Sequence, residues 1–527
     1  MAAVNPLREA LTSGKFCYVV ELVASRLTRE ARLLEVASQL AMVPGVVAGS
    51  ITSYAGGALG HDPLRVGTAA RARGLSPNIH LTCVNRDRAN AQRTLEDMHA
   101  LGIENVFALT GDYPKATTPA SQQPFFHLDS VQLVSLIHEM RQSGMPFWTA
   151  VAVSPFKYTE ADCAYQYLKL EKKIAAGADY AITQLGYDAR KFRELKQYLD
   201  ERGLRTPILG NVYILQAKPA ERMSKGDPPG CWVAPELLKQ IQEETQAADK
   251  GLAARLERAA RMVAIVRGLG YAGAYLGGDH RADRVRWIIR RSESLASQWE
   301  EFAEEMNYAP KAAFYFYPAS SGGAQTKEAE KKRGFVPRIL DALAATCPVN
   351  KPGKLRDMLA AIFGWIDQRP AVAHAVERVE FALKAPVFGC QACGNCVLGT
   401  MEYVCPQTCP KNLRNGPCGG TMLERCEVVD KPCIWVEVYS RAKAAQRIGD
   451  LQVYIPPRNP ALRGTSSWIN FFLNRDNRPG HAEPLFQLSP GPLAAGRSEA
   501  KPAATLPGGI KPIPTEPPLV KISADPK

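Results

Sequence analysis

The sequence predicts an α/β chain: a (β/α)8 TIM barrel followed by a smaller cysteine-rich metal-binding α+β domain. Three observations carry this. Over the first 290 or so residues, eight short runs rich in Val, Ile, Leu and Ala alternate with longer segments of helical period. No Gly-rich dinucleotide fingerprint follows the first run, which favours a closed barrel over a doubly wound open sheet. Of the 13 cysteines, eight fall in one short window: Cys390, Cys393, Cys396, Cys405, Cys409, Cys418, Cys426 and Cys433.

The expected strands are 16–24, 45–53, 78–84, 105–111, 147–154, 180–185, 207–214 and 272–278. Amphipathic helices are expected over 29–41, 88–101, 131–141, 163–176, 190–201 and 256–269, most of them closed by a glycine near the C-cap. Residues 284–306 read as one or two further helices and 312–317 as a short apolar strand. Helical periodicity returns over 337–345 and 355–367. The expected division is a barrel over 1–310, a linker over 311–336, a cysteine-rich domain over 337–478, and a disordered tail rich in Pro, Gly and Ala over 479–527. Within the linker, 319–333 has the small and charged composition of a mobile loop.

Composition narrows the function. At 527 residues the chain exceeds one compact domain. Its net charge of +13 is spread along the chain without an arginine-rich arm or RNA-type motif, so no nucleic-acid partner is expected. No apolar run reaches membrane-span length, and residues 1–15 hold no signal core, so a cytoplasmic location is expected. In a reducing compartment, thiols as dense as these point to metal rather than disulfides. Triple Cys at two-residue spacing with later Cys-Pro steps is closer to a ferredoxin pattern than to zinc-ribbon knuckles. Eight thiols can supply two four-ligand sites, holding 4Fe-4S clusters, zinc, or one of each.

In a barrel, chemistry belongs at the C-terminal strand ends. Glu21, inside CYVVELVA, is an acid in an apolar strand; burial would raise its pKa and suit it to general-acid work, the alternative being a structural ion pair. His80 in NIHLTC is either a ligand or a satisfied interior histidine. Asp112 closes FALTGD after a glycine that admits close approach, and can stabilise a cation or merely cap a turn. Gln184 in YAITQ can donate and accept at once, as the edge of a pterin-like ring requires, or serve structure alone.

Five runs in this order, ELVAS at Glu21, SITSYAGG around Thr52, PNIHLTC, LTGD at 109–112 and KKIAAGADYAITQ at 172–184, resemble the methylenetetrahydrofolate reductase family over about residues 16–278. The resemblance implies a flavin-containing barrel of one-carbon metabolism that interconverts 5,10-methylenetetrahydrofolate and 5-methyltetrahydrofolate. It implies that Glu21 protonates N10, Asp112 stabilises the 5-iminium cation, Gln184 holds the pterin, and reduced flavin N5 delivers hydride. It implies flavin contacts from Thr52, His80, Leu109, Thr110, Gly111, Asp112, Lys172 and Lys173, the lysines meeting the phosphate. FAD is expected with FMN as the alternative, and NAD(P)H as electron donor or acceptor. Thr110, Val153 and Lys157 depart from the Arg, Tyr and His found in many relatives. The segments KNLRNGPCGG and IPPRNPALRGTSSWINFFLNRD resemble the C-terminal domain or iron-sulfur partner subunit found with reductases of acetogens and other bacteria. That implies an electron-transfer role, or docking of an electron-transfer protein; a homo-oligomer is also expected. The alternative from another class is a flavin-free folate or corrinoid methyltransferase barrel with a structural zinc domain.

Overall fold

The computed structural model describes residues 5–25, 28–53, 60–114, 124–317, 334–347 and 349–477. Eight parallel strands close into a barrel in sequence order: β1 Cys17–Leu22, β2 Val46–Ile51, β3 Pro77–Thr82, β4 Asn105–Leu109, β5 Trp148–Val153, β6 Tyr180–Thr183, β7 Ile208–Tyr213 and β8 Gly273–Gly277. β8 pairs back to β1, from Cys17 opposite Gly273 to Val20 opposite Leu276. All eight expected strands form, each shorter than its apolar run because the ladder ends where the chain bends into its loop.

Side chains two apart on a strand share a face. Cys17, Val19, Ala48, Phe107, Ala150, Tyr180, Ile182, Leu209 and Tyr275 therefore fill the barrel interior, and Leu7, Ala10 and Leu11 of helix Pro6–Thr12 close its floor. The alternate residues, Val20, Leu22, Ile51, Ile79, Leu81, Val106 and Val151 among them, pack outward against the surrounding helices. Short helices Pro63–Arg71, Ala217–Ser224 and Pro235–Glu244 were not apparent from periodicity; two of them start on a proline, which suits the first helical turn.

Two expectations are corrected. Residues 312–317 form no strand, because a closed barrel has no free edge to receive one. They run instead as coil against the barrel helices, with Phe314 and Tyr315 buried, Phe314 N donating to Tyr158 O at 3.0 Å and Lys191 Nζ to Phe314 O at 2.8 Å. The second domain is not α+β. Its described residues hold helices Phe335–Thr346, Lys354–Asp367, Pro370–Phe388, Ile434–Ala444 and Ser467–Phe472, with 3-10 turns and only isolated bridges at Met422/Arg425 and Arg425/Pro432. The cysteine window, crowded with Pro and Gly, lacks the alternating apolar run a strand needs. The loop expected over 319–333 and the tail over 479–527 lie outside the described residues. Among the described residues no helix is long and apolar enough to cross a membrane.

Helix Glu160–Ala175 joins the two domains. Cys163, Tyr167 and Leu170 face the barrel core, whereas Ala161, Ala164, Tyr165 and Leu168 pack into a second core with Met401, Leu413, Trp435 and Val438. Tyr165 meets Trp435 edge to face at 5.2 Å between ring centroids. The seam is polar as well. Lys169 Nζ donates to Gly416 O at 3.1 Å and Pro417 O at 2.8 Å, Gln166 to Cys418 O at 2.9 Å, and Glu424 N to Asp162 at 2.8 Å. Buried Asp129 accepts through one oxygen from Val131 N and Gln132 N, capping helix Ser130–Gln142. Through the other it accepts from Arg414 N, Asn415 N and Asn415 Nδ2, at 3.0–3.1 Å.

Asp129→Ala strips five buried donors of their acceptor. Urea denaturation is expected to register a loss of about 3 kcal/mol or more. Asp87→Ala, which uncaps helix Arg88–Ala100 without touching the seam, should cost about 1 kcal/mol. Equal losses at the two positions would show that the seam contributes nothing.

Candidate functional site

Polar side chains gather at the C-terminal ends of the strands. Glu21 points into the barrel from β1 and lies opposite Ser50 in the β1–β2 register. Burial pushes its carboxyl up to about 7, against a partly opposing hydrogen bond from Tyr275, whose hydroxyl donates to Glu21 Oε1 at 3.4 Å. His80 Nε2 lies 2.9 Å from Ser50 Oγ and 3.4 Å from the Tyr275 hydroxyl. Burial drops the imidazole to about 3, so it is neutral, packed edge-on to Phe107 at 4.9 Å. Asn78 Nδ2 donates to Ser50 Oγ at 3.1 Å and Tyr180 OH to Asn78 Oδ1 at 3.3 Å, continuing the chain of polar groups inward. Among the described residues, Glu21 is hydrogen-bonded to the Tyr275 hydroxyl, and no salt bridge to it is formed.

Around this network stand the other candidates. Thr52 follows β2 and its hydroxyl accepts from Ala24 N at 3.2 Å, tying the ends of β1 and β2 together. Gln184 follows β6; its Oε1 accepts from Leu185 N at 2.9 Å. Leu109 ends β4, and Thr110, Gly111 and Asp112 form the turn beyond it, all partly exposed. Gly111 has φ +86°, and a Cβ there would stand 2.5 Å from Val84 Cγ2, so both the backbone and the space require glycine.

Lys172 and Lys173 sit apart, in the last turn of helix Glu160–Ala175. Both are buried, and burial lowers each to about 7, opposed by the Asp129 carboxylate. Lys173 Nζ donates to Ala152 O at 2.6 Å, at the upper end of β5. Two buried ammonium groups partly balanced by one carboxylate fit an anion of the phosphate kind. Lys157 is engaged elsewhere: its Nζ donates to Gly419 O at 2.8 Å and to Thr421 O, both in the second domain.

The eight cysteines divide by proximity. Cys390, Cys393, Cys396 and Cys405 line one cleft with Lys384 and Glu380, and feel one another's charge. Cys409 neighbours Cys426 and Cys418, and Cys433 neighbours Cys418 and Cys409. Backbone N–H groups two residues on act on six of the eight sulfurs: Val428 N donates to Cys426 Sγ at 3.5 Å, and those of Ala392, Gln407, Lys411, Gly420 and Trp435 pull Cys390, Cys405, Cys409, Cys418 and Cys433 downward. Such bonds favour thiolate over thiol. Burial acts oppositely and pushes Cys405 and Cys418 up to about 12, so as they stand both are neutral thiols. Among the described residues, no three His, Cys, Asp or Glu side chains converge closely enough to hold one metal ion.

Sequence reasoning missed Tyr275, Ser50 and Asn78. Period two along AGAYLGG and VVAGSI places the first two inside the barrel, and that signal was available. It also missed Lys411, which crosses from the second domain to donate to Gly111 O at 2.8 Å. No local pattern announces that contact.

The Glu21 environment makes a stability prediction. The folded carboxyl holds its proton to about 7, whereas its ordinary value is 4.5, so the unfolded chain ionises first. Stability is lost as pH rises between these values, by roughly 3 kcal/mol at 1.4 kcal/mol per unit. Glu21→Gln removes that loss, so in thermal melts the variant should match the parent near pH 4.5 and exceed it at pH 8. A variant no more stable at pH 8 would contradict the raised Glu21 carboxyl.

Comparison with known proteins follows the same division. Residues 6–267 match the family profile described as methylenetetrahydrofolate reductase, and residues 369–461 the one described as methylene-tetrahydrofolate reductase C terminal. A probable methylenetetrahydrofolate reductase (NADPH) of Caenorhabditis elegans is 28% identical over 155 residues, 29% of this chain and 22% of that protein. Methylenetetrahydrofolate reductase 2 of Schizosaccharomyces pombe is 25% identical over 244 residues, 43% of this chain and 37% of that protein. The 5,10-methylenetetrahydrofolate reductase of Salmonella typhimurium is 30% identical over 140 residues, 26% of this chain and 44% of that protein. The chain thus spans less than half the length of each of these relatives. The eight-stranded barrel and both profile matches agree: this chain carries a methylenetetrahydrofolate reductase family domain, followed by the C-terminal domain described for such reductases.

Proposed function

We propose that the protein is a flavin-dependent methylenetetrahydrofolate reductase, interconverting 5,10-methylenetetrahydrofolate and 5-methyltetrahydrofolate at the barrel mouth. The observation that carries this is Glu21, an interior carboxyl whose surroundings hold it protonated up to about 7, hydrogen-bonded to Tyr275, in a family domain that acts on folate. Glu21 gives its proton to N10, the bond from the bridging methylene to N10 breaks, and the carbon remains on N5 as an iminium. An acid with a pKa near the working pH does this best, because it is both protonated and willing to release. Asp112, at the mouth beside Gly111, offers its carboxylate to the cation. Gln184 presents its amide to the pterin edge.

Flavin, when bound, supplies or accepts the hydride at the methylene carbon. Its phosphate suits Lys172 and Lys173, and Thr52, His80, Leu109, Thr110 and Gly111 would stand along its length. A neutral His80 contributes shape and a hydrogen bond there, with no charge. The choice between FAD and FMN, and NAD(P)H as the partner in hydride exchange, are part of this reading.

The two cysteine groups, 390/393/396/405 and 409/418/426/433, are read as two metal centres, with 4Fe-4S clusters favoured and zinc as the alternative. The backbone N–H bonds to sulfur support this, since they are among the levers that tune cluster potential. Their role would be to exchange electrons with the flavin or with a partner protein.

Anaerobically purified protein is expected to be yellow-brown and to oxidise 5-methyltetrahydrofolate with a viologen acceptor. Glu21→Gln should slow that turnover by about a hundredfold or more while reduction of the bound flavin by dithionite persists. Colourless, folate-inactive protein would favour the flavin-free methyltransferase alternative. For the metal centres, Cys390→Ser and Cys418→Ser should each remove about half of the bound metal, and the double variant nearly all. Loss of all metal from either single variant would contradict two separate centres.

A further inference from the structure

Lys411 lies in the loop between Cys409 and Cys418, yet its side chain serves the other domain. The ammonium group is buried and donates to Gly111 O at 2.8 Å, pairs with the buried carboxylate of Glu427, and stands 5.6 Å from the Phe126 ring centroid. The Asp112 charge acts on it directly. The pair is built with care on both sides. A Cβ at Gly420 would collide with the Glu427 carboxylate, and the turn that receives Lys411 is one that only glycine adopts easily.

The second domain has further attachments to the barrel. Lys157, Lys169, Asp129 and Asp162 already fasten it to the barrel helices and loops. What Lys411 fixes is one carbonyl, in the turn whose next residue is Asp112. We propose that Lys411 is a positioning residue of the barrel site, delivered by the C-terminal domain to fix the Gly111–Asp112 turn, with Glu427 balancing the Lys411 charge. This rests on the reading of Asp112 given above.

The test uses the full chain with 5-methyltetrahydrofolate as probe, following kcat and KM separately together with bound metal. Lys411→Met/Glu427→Gln removes both charges at nearly constant volume. It should lower kcat about tenfold or more, with KM within about twofold and metal content unchanged. Lys411→Arg, which still donates, should recover at least about a third of kcat. Glu427→Gln alone leaves Lys411 unbalanced beside Asp112 and should lower kcat at least about threefold. Asp112→Asn separates the two readings: undiminished turnover in that variant sinks the role of Asp112 itself. Where Asp112→Asn is crippled, wild-type kcat in the double variant overturns the proposal, as does a change confined to KM. If the double variant loses its metal, wild-type kcat in Glu427→Gln decides against it.

Discussion

The structure depends on one seam, in which charged side chains of the barrel are buried beneath a domain that supplies mostly backbone groups to pair with them. Lys157 and Lys169 end on four carbonyl oxygens between Gly416 and Thr421, and Asp129 on three donors of Arg414 and Asn415. Glu160 adds Tyr439 and Lys443. An ammonium or carboxylate shut away from water without partners costs several kcal/mol, so each of these groups can lie in the seam only because the second domain supplies its partners. The apolar part of the seam works in the same direction, since Ala161, Ala164, Tyr165 and Leu168 of helix Glu160–Ala175 are buried in the core shared with the second domain. The barrel and the thiol-rich domain are thereby committed to each other.

That commitment shapes the mouth. The second domain reaches the loops after β4, β5 and β7: Lys411 meets Gly111, Lys157 meets Gly419 and Thr421, and a side chain at Gly230 would run into Gly419 O. Covering the mouth on that side lowers the local dielectric, which strengthens every charge inside it. Burial of the same kind holds Glu21 protonated and His80 neutral. The second cysteine group lies along this covered side, because Cys418 is within electrostatic range of both Lys157 and Lys169. The first opens on a cleft walled by helix Pro370–Phe388.

Much of this was legible in the residues. Eight apolar runs with helical spacers gave the barrel, and Glu21, His80, Asp112 and Gln184 stood out as polar residues at or near strand ends, where they are found. The double stripe in Cys163–Tyr167–Leu170 and Ala161–Ala164–Tyr165–Leu168 was equally present, and a helix apolar on two faces signals a second partner. Other features were out of reach. Whether 312–317 pairs as a strand depends on a free edge, which a closed barrel lacks. The second domain was misjudged as α+β because cysteine spacing speaks of ligands and says little about secondary structure. Lys411 was invisible because 300 residues separate it from Gly111.

The central claim is that the C-terminal domain is a structural part of the barrel mouth, and native-state hydrogen exchange on the full chain tests it most directly. Amides of residues 413–424 and of the turn at 110–113 should open together, with one free energy and one denaturant dependence, as a single cooperative unit. Exchange of 413–424 through a separate, lower-energy opening, with the turn still protected, would contradict it.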